Sequence, residues 1–285
     1  MKINSSLFRI IITRCDAIIR FVYCQFGPFS KLLNKLLFWK LYSSNIKDLD
    51  YKFEEFKSVI IKQSISLADA KILEIGPGNS TINAMNFLLS GVAQVIMVDK
   101  YSRFRDNKKQ IKHQEKEIEF IRNKWGISLL PFIDEKNKLR EKYVRYYEKD
   151  ISQIENQNVD IIYSISVLEH IKNVESSIQH MTHHLKTGGY MYHDIDLRDH
   201  YNFNDPFLFL KYSNYSWNKY LTKEGISYTN RVRYRQYKEI FASLNLITLW
   251  EKAITYPLPQ HPINRDFRNK KDINVGKLKI LLRKI

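Results

Sequence analysis

The chain has 285 residues, enough to bury a full hydrophobic core, and 44% of them are apolar, as expected of a globular protein. Its formal charge of +16 indicates either an acidic partner or a coding bias towards lysine, isoleucine and asparagine. The two cysteines, Cys15 and Cys24, lack a metal-binding spacing and argue against a disulfide scaffold. We therefore expect a reduced, cytoplasmic setting.

The first 66 residues are predicted to form a helical cap on the rest of the chain. Residues 7–23 and 31–42 interleave apolar side chains with charged ones. This pattern predicts two amphipathic helices and argues against a membrane span or a signal peptide. Such helices can pack on a domain or lie on a membrane surface. We favour packing, and a peripheral membrane contact through residues 1–45 stays open.

From residue 67 onward, predicted strands and helices alternate, which indicates an α/β fold with an open, mostly parallel sheet and helices on both faces. Residues 67–285 are predicted to form one domain with insertions at 101–141 and 199–234, the second rich in aromatic residues. The predicted strands are 70–76, 93–100, 142–151, 159–167, 190–197, 247–255 and 276–285, and the predicted helices include 80–91, 173–189 and 235–246.

The strongest motif is the loop LEIGPGNST at residues 73–81, which follows the first predicted strand. Gly76 and Gly78 allow a tight turn and a close approach of the backbone to a ligand. Asp99 ends the next strand, about 20 positions later, where an acid meets ribose hydroxyls in nucleotide-binding folds. Together these features indicate a cofactor that contains a nucleoside.

The residues around this loop narrow the choice of cofactor. A dinucleotide fold needs a third glycine at the start of the helix, where this sequence has Ser80 and Thr81. Glu74 lies two residues before Gly76, and its negative charge would repel a pyrophosphate. An anion at this position suits a cationic ligand such as S-adenosylmethionine, which carries an ammonium and a sulfonium.

On these motifs the sequence resembles the class I S-adenosylmethionine-dependent methyltransferases of the bacterial methyltransferase-domain type, over about residues 70–189. The segment SVLEHI at 166–171 and the turn KTGG at 186–189 match the family as well, and Ser80 departs from it. The resemblance implies a doubly wound, seven-stranded, Rossmann-like sheet with an antiparallel last strand. It implies cofactor contacts from Glu74, Gly76, Gly78, Asp99, Asp150, Ile151 and Ser164, with Asp99 on the ribose and Asp150 and Ile151 at the adenine.

The stretch YMYHDIDLRDH at 190–200 is predicted to be the fifth strand and its exit, at the edge of the sheet where ligands bind. Alternation puts His193 and Asp194 on opposite faces, which argues against a compact metal site, and we predict no metal ligands. We interpret the stretch as the wall of an acceptor site. The candidate catalytic residues are His170, His193, Asp196 and His200.

The sequence predicts a methyltransferase of a small-molecule or glycan acceptor, with O-methylation favoured because aromatic residues in 199–234 can stack on sugar or aromatic rings. Arg231 and Arg233 are expected either to bind an anionic acceptor or to form structural salt bridges. An RNA methyltransferase fits the charge, but the chain lacks an Asn-Pro-Pro-Tyr-like tetrapeptide and an appended RNA-binding module. A membrane-associated enzyme acting on a lipid-linked or quinone-like acceptor is the other alternative.

Overall fold

The structure is a computed structural model. The predicted helices at 7–23 and 31–42 lie outside the described part of the chain, apart from Ile18 and Phe21. The described residues are 18, 21, 45–101, 108–126, 131–135, 138–200, 205–222, 228–259, 261–268 and 271–285.

Seven strands and five main helices make up the described chain. The strands are β1 (Lys71–Ile75), β2 (Gln94–Asp99), β3 (Val144–Glu148), β4 (Val159–Ile165), β5 (Leu185–Asp196), β6 (Leu246–Thr255) and β7 (Val275–Lys284). The helices are α1 (Ile46–Lys62), α2 (Ile82–Leu89), α3 (Lys108–Trp125), α4 (Val174–His184) and α5 (Tyr234–Ser243).

The strands form one sheet in the order β3-β2-β1-β4-β5-β7-β6. β7 pairs antiparallel with β5 and β6, whereas the other neighbouring strands are parallel. The predicted fold, a mostly parallel, seven-stranded Rossmann-like sheet with an antiparallel last strand, is confirmed. The order reverses between β1 and β4, which opens a crevice at the carboxyl ends of these two strands.

The predicted boundary between α4 and β5 is wrong. α4 ends at His184 rather than at Gly189, and β5 begins directly at Leu185. The pairing with β4 shifts register between Val159 and Ile161, so the segment KTGG forms an irregular start of the strand. A Cβ on Gly189 would lie 2.9 Å from the Asp160 carbonyl oxygen, so the glycine permits this close strand contact instead of ending a helix.

Helices cover both faces of the sheet because each face of the central strands is apolar. On one face, α4 and α5 contribute Ile178, Met181 and Phe241 to the core. On the other face, α1 and α2 contribute Phe56 and Phe87. The predicted alternation along β5 is confirmed by this division, since its successive side chains point into different cores.

α1 packs directly on the sheet through a cluster of aromatic rings. The Phe56 ring centroid lies 5.1 Å from that of Tyr163 on β4 and 5.1 Å from that of Tyr192 on β5. Phe53 contacts Phe87 of α2 at 5.1 Å. The end of the predicted helical cap is thus part of the sheet packing, whereas the domain boundary at residue 67 stays a prediction. Within the described residues, no helix has both the length and the apolar composition needed to cross a bilayer.

The two predicted insertions contribute to separate small cores. α3, in the first insertion, packs Ile118 and Ile121 against α2. In the second, Phe207, Phe209 and Trp217 are buried in a core of their own together with Phe267 and Ile273. These aromatic side chains stabilise the insertion itself and are not exposed as a stacking surface.

Candidate active site

A cavity of about 810 Å³ runs along the carboxyl ends of β1 to β5. This volume is in the range of small-molecule binding clefts. The loops that follow the strands line it, together with residues of α1 and α4. The loop segments that line it are 75–79, 98–101, 149–152, 165–167 and 170–173, together with Asp196 and His200.

The glycine loop after β1 lines the cavity, with the loops after β2 and β3 on one side of it and those after β4 and β5 on the other. Gly76 and Gly78 both have φ of +66°, a conformation that L-residues rarely adopt. A Cβ on Gly76 would lie 2.5 Å from Val167 Cγ2, so this glycine also permits close packing with the loop after β4. The backbone is therefore open towards the cavity, as it must be for a ligand to approach the loop closely.

Asp99 fixes the loop at the end of β2. Its Oδ2 accepts a hydrogen bond from the Gly78 backbone N–H at 3.2 Å, and its Oδ1 accepts one from the Tyr101 backbone N–H at 2.9 Å. The carboxylate thus lies in the cavity wall next to the glycine loop. This arrangement is compatible with the ribose contact that the resemblance implies.

A buried carboxylate on α3 supports the same loop, and sequence reasoning missed it. Glu117 accepts hydrogen bonds from the Thr81 backbone N–H at 3.0 Å and from the Thr81 hydroxyl at 2.8 Å. The Ser80 hydroxyl donates to the same carboxylate. Glu117 therefore satisfies the amino end of α2, where a negative charge is stabilising. This network explains why serine is accommodated where many class I methyltransferases have a glycine.

Glu74 lies beneath the loop rather than in the cavity wall. It is buried, and its Oε1 accepts a hydrogen bond from Asn83 Nδ2 at 2.7 Å. Burial, opposed by this hydrogen bond, raises the pKa of Glu74 to about 7. Within the described part of the chain, its Oε2 has no hydrogen-bond partner. A buried acid with an unsatisfied oxygen favours a nearby cation, which is the chemistry predicted for this position.

Asp150 and Ile151 line the cavity after β3. Asp150 caps the short helical turn at Ile151–Gln153 by accepting a hydrogen bond from the Ser152 backbone N–H at 3.1 Å. Burial opposes ionisation of Asp150, but the Ser152 hydrogen bonds and Lys100, 3.5 Å away, hold its pKa below the usual range. The capping role is thus observed, and the predicted adenine contact remains compatible with it.

Two predicted site residues, Ser164 and His193, lie in the protein core. Ser164 Oγ is 2.7 Å from His193 Nδ1, and the His193 ring stacks on Phe241 with centroids 5.8 Å apart. Both are buried, and neither lines the cavity. Burial lowers the pKa of His193 to about 3, so its ring is neutral. The structure thus separates His193 from the other three catalytic candidates and Ser164 from the other cofactor candidates.

The other three candidates come together at the far end of the cavity, and we call His170, Asp196 and His200 the acceptor wall. The two imidazole centroids are 4.9 Å apart, and His200 Nε2 is 3.9 Å from Asp196 Oδ2. Burial lowers the pKa of His200 and outweighs the attraction of Asp196. Burial opposes ionisation of Asp196, but a salt bridge with Arg198 holds its pKa below the usual range.

The acceptor wall depends on two residues that the site prediction omitted. Glu169 is buried, and its Oε1 accepts a hydrogen bond from the Asp196 backbone N–H at 3.2 Å. Asn230 Nδ2 donates to the carbonyl oxygens of Leu168 at 2.7 Å and Ile171 at 2.9 Å. These bonds tie the loop after β4 to the exit of β5 and to the chain before α5. The only sequence signals were the segment SVLEHI and an asparagine before two arginines.

Arg231 and Arg233 are buried and lie outside the cavity wall. Arg233 donates to the carbonyl oxygens of Leu197 at 2.5 Å and Val275 at 2.7 Å. Arg231 donates to the Tyr212 carbonyl oxygen at 2.6 Å and lies between aromatic rings. Arg231 therefore ties the chain before α5 to the second insertion, and Arg233 ties it to the exit of β5 and the start of β7. None of the described aromatic residues at 205–222 lines the cavity either.

The fold is a Rossmann-like sheet with a cavity at the carboxyl edge of its strands. Residues 46–249 match the family described as "Methyltransferase domain", which covers well over half of the chain. The chain therefore belongs to this family, and it is an S-adenosylmethionine-dependent methyltransferase. No curated protein matches the sequence.

Solved structures with a similar fold are distant in sequence. An S-adenosylmethionine-dependent methyltransferase from Clostridium acetobutylicum is 13% identical, with 91% of this chain and 98% of that chain covered and a TM-score of 0.46. One from Mesorhizobium loti is 11% identical, with 80% and 96% covered and a TM-score of 0.44. A chain of the Haloferax volcanii complex of the Trm112 activator with a methyltransferase is 10% identical, with 86% and 95% covered and a TM-score of 0.46. At these levels the likenesses add nothing to the family assignment.

The residues at the glycine-loop end fit S-adenosylmethionine. Gly76 and Gly78 leave the backbone open to the cavity. The Glu74 oxygen without a partner supplies negative potential beneath the loop, where an ammonium or sulfonium would be favoured. The Asp99 carboxylate lies beside the loop with its oxygens directed at backbone N–H groups, and a carboxylate can accept further bonds from a vicinal diol.

Proposed function

We propose that this enzyme transfers a methyl group to an oxygen of a small-molecule or glycan acceptor. One observation carries the proposal, namely that a single cavity joins the glycine loop to the acceptor wall. An acceptor that contacts His170 and His200 shares this cavity with a cofactor at Gly76 and Gly78. This proximity supports direct transfer, in which much of the rate comes from holding the two reactants together.

At the cofactor end, bound S-adenosylmethionine supplies an electrophilic methyl group. We assign cofactor positioning to Gly76 and Gly78 through the backbone, and ribose binding to Asp99. Asp150 and Ile151 provide a polar and an apolar contact for the adenine, and both line the cavity. Glu74 acts from beneath the loop through its charge.

At the acceptor end, the wall can take up the proton that a hydroxyl acceptor releases. Burial keeps His200 neutral, so its imidazole can accept a proton. The Asp196 carboxylate, 3.9 Å from His200 Nε2, stabilises the resulting imidazolium. The hydrogen bond between His170 Nδ1 and the Tyr228 carbonyl oxygen fixes the orientation of the second ring.

We propose that the enzyme acts in the cytoplasm on a small-molecule acceptor. A peripheral membrane contact through residues 1–45 is a further part of the proposal. RNA is the less favoured acceptor, because the acceptor wall lies inside a cavity whose volume of about 810 Å³ suits a small molecule. RNA is nevertheless included in the test, because a chain with a formal charge of +16 would attract a polyanion.

The test is a methyl-transfer screen with isotopically labelled S-adenosylmethionine against nucleotide sugars, lipid-linked sugars, quinone precursors and RNA. We expect label in a hydroxyl-bearing small molecule or glycan, and less of that label with Asp99→Ala at cofactor concentrations below saturation. Label in RNA alone, with salt-sensitive binding, would replace the proposal by the RNA alternative. Label that depends on liposomes would favour the membrane-associated enzyme.

A further inference from the structure

Glu169, His170 and His200 form a compact group at the acceptor end of the cavity. One ligand atom from each residue, a carboxylate oxygen and two imidazole nitrogens, can be chosen so that all three lie within 4.8 Å of one another. Two of the residues follow β4 and the third follows β5, so the fold brings them together from separate loops. His170 and His200 also line the cavity, which gives a ligand access from solvent.

The buried carboxylate in this group is only partly satisfied. Glu169 is 1% exposed, its Oε1 accepts the Asp196 N–H, and its Oε2 has no hydrogen-bond partner among the residues that the structure describes. An orphaned carboxylate oxygen is rare in a protein interior because its desolvation is not compensated. A cation bound between Glu169 and the imidazoles would compensate it.

Hydrogen bonds and a nearby carboxylate orient the three candidate ligands. His170 Nδ1 is 2.5 Å from the Tyr228 carbonyl oxygen, and a donating Nδ1–H leaves the lone pair on Nε2. The Glu169 carbonyl oxygen accepts the Asn230 N–H at 2.7 Å, which fixes the loop that carries both residues. Asp196, 3.9 Å from His200 Nε2, is an outer-sphere carboxylate for the second ring.

We propose that Glu169, His170 and His200 bind a divalent first-row transition metal ion. Two imidazoles and one carboxylate suit zinc, iron, cobalt or manganese, whereas magnesium and calcium prefer oxygen ligands. Three protein ligands leave coordination positions open towards the cavity, as in catalytic metal sites. The sequence argument against a metal site in residues 190–200 concerned His193 and Asp194, whereas this group takes only His200 from that stretch and its other two ligands from the loop after β4.

The role of the ion rests on the proposed function, because two of its three ligands, His170 and His200, line the acceptor end of the cavity. An acceptor hydroxyl that binds the ion releases its proton to solvent more readily, since the ion stabilises the resulting oxyanion. With the ion bound, His200 would be a ligand, and solvent would replace it as the acceptor of the hydroxyl proton; the site and direction of methyl transfer would stay as proposed. The ion then fixes the position of the acceptor oxygen.

The experiment titrates Co²⁺ into the untagged, chelator-treated full chain and follows the visible absorption of the bound ion, with Zn²⁺ displacement followed by calorimetry. We expect one equivalent to bind. Binding should weaken roughly tenfold or more in His200→Ala and in Glu169→Gln, whose amide oxygen can still accept the Asp196 N–H. The control is His183→Ala, which removes an exposed histidine on α4 outside the cavity.

Circular dichroism and thermal unfolding verify that each variant is folded. Absence of stoichiometric Co²⁺ binding to the wild-type chain, or equal binding by folded His200→Ala and by His183→Ala, would overturn the proposal. S-adenosylmethionine binding to the metal-free chain is measured in parallel. A chain that binds the cofactor but no metal refutes only the metal site, and one that binds metal but transfers no methyl group refutes the proposed function.

Discussion

The two ends of the cavity differ in the groups that line them. At the cofactor end, the surface is backbone from consecutive residues, with Gly76 and Gly78 at positive φ and the Gly78 N–H on Asp99. At the acceptor end, the surface consists of side chains from separate segments, which meet through the bonds of Glu169 and Asn230. A substitution at the cofactor end should therefore change cofactor affinity, whereas a substitution at the acceptor end should change turnover.

The largest expected effect is at the acceptor end. His200→Ala should lower turnover about 100-fold and leave S-adenosylmethionine affinity within about twofold, because the ring contacts the acceptor side of the cavity. Steady-state kinetics with the acceptor found in the screen, together with calorimetry of the cofactor, measure this split. A matching loss of cofactor affinity would contradict the separation of the two ends.

His193→Ala is the matched control for this variant. It removes a buried ring that bonds Ser164 and stacks on Phe241, so we expect a loss of about 2–4 kcal/mol in unfolding free energy. Turnover per folded molecule should stay close to that of the wild type, because His193 lies outside the cavity. Equal losses of turnover in the two variants would remove the distinction between the two histidines.

An effect of similar size is expected at the glycine loop. Gly76→Ala should weaken S-adenosylmethionine binding about 100-fold, because the new Cβ meets Val167 Cγ2 at 2.5 Å and the φ of +66° is strained for alanine. Gly126→Ala is the control: its φ is +61°, but nothing lies within 4 Å of its Cβ. It should lose about 1 kcal/mol of stability and no affinity. Calorimetry that gives the two variants equal affinity would contradict the role of the Val167 contact.

Asp99→Ala should have a smaller effect, with S-adenosylmethionine affinity about tenfold lower, because both the loop bond to Gly78 and the ribose acceptor are lost. Asp99→Asn retains one carbonyl oxygen and should lie between alanine and the wild type. Calorimetry measures both affinities. Unchanged affinity in Asp99→Ala would refute the assigned role of this residue.

The last prediction concerns the pH dependence of stability without cofactor. The pKa of Glu74 rises from its ordinary value of 4.5 to about 7 on folding, so the folded chain holds this proton more tightly. The resulting stabilisation is complete below pH 4.5 and is lost as the pH rises through 7. Relative to Glu74→Gln, the wild type should therefore lose roughly 1 kcal/mol of unfolding free energy per pH unit over this interval. Urea unfolding at several pH values tests this, and a constant difference would contradict a raised pKa.

The fold and the glycine loop at the cofactor end were predictable because their signals are local. The short apolar runs, the glycines after the first strand and Asp99 at the end of the next strand each follow from neighbouring residues. The exception at this end is Glu117, which is 37 positions from Ser80 and sits in a charged helix with no distinguishing motif. Gly188 and Gly189 were misread as a helix end because glycine marks both helix ends and irregular strands.

The acceptor end was predictable only in part, because its residues meet through long-range contacts. Counting along β5 correctly put His193 on the opposite face from Asp194, but it could not show that α5 would cover that face with Phe241. It also could not show that Glu169 and His200, 31 positions apart in the sequence, would come within ligand distance of one another.

The helix before the first strand sets a limit on how the protein can be shortened for expression. Asn45, Asp48, Leu49 and Lys52 line the cavity, and Phe56 of the same helix is fully buried between Tyr163 and Tyr192. A truncated chain that starts at residue 67, at the first predicted strand, would remove one side of the cavity and expose the aromatic cluster to water. Any shortened version should therefore begin before Asn45, even when only cofactor binding is to be measured.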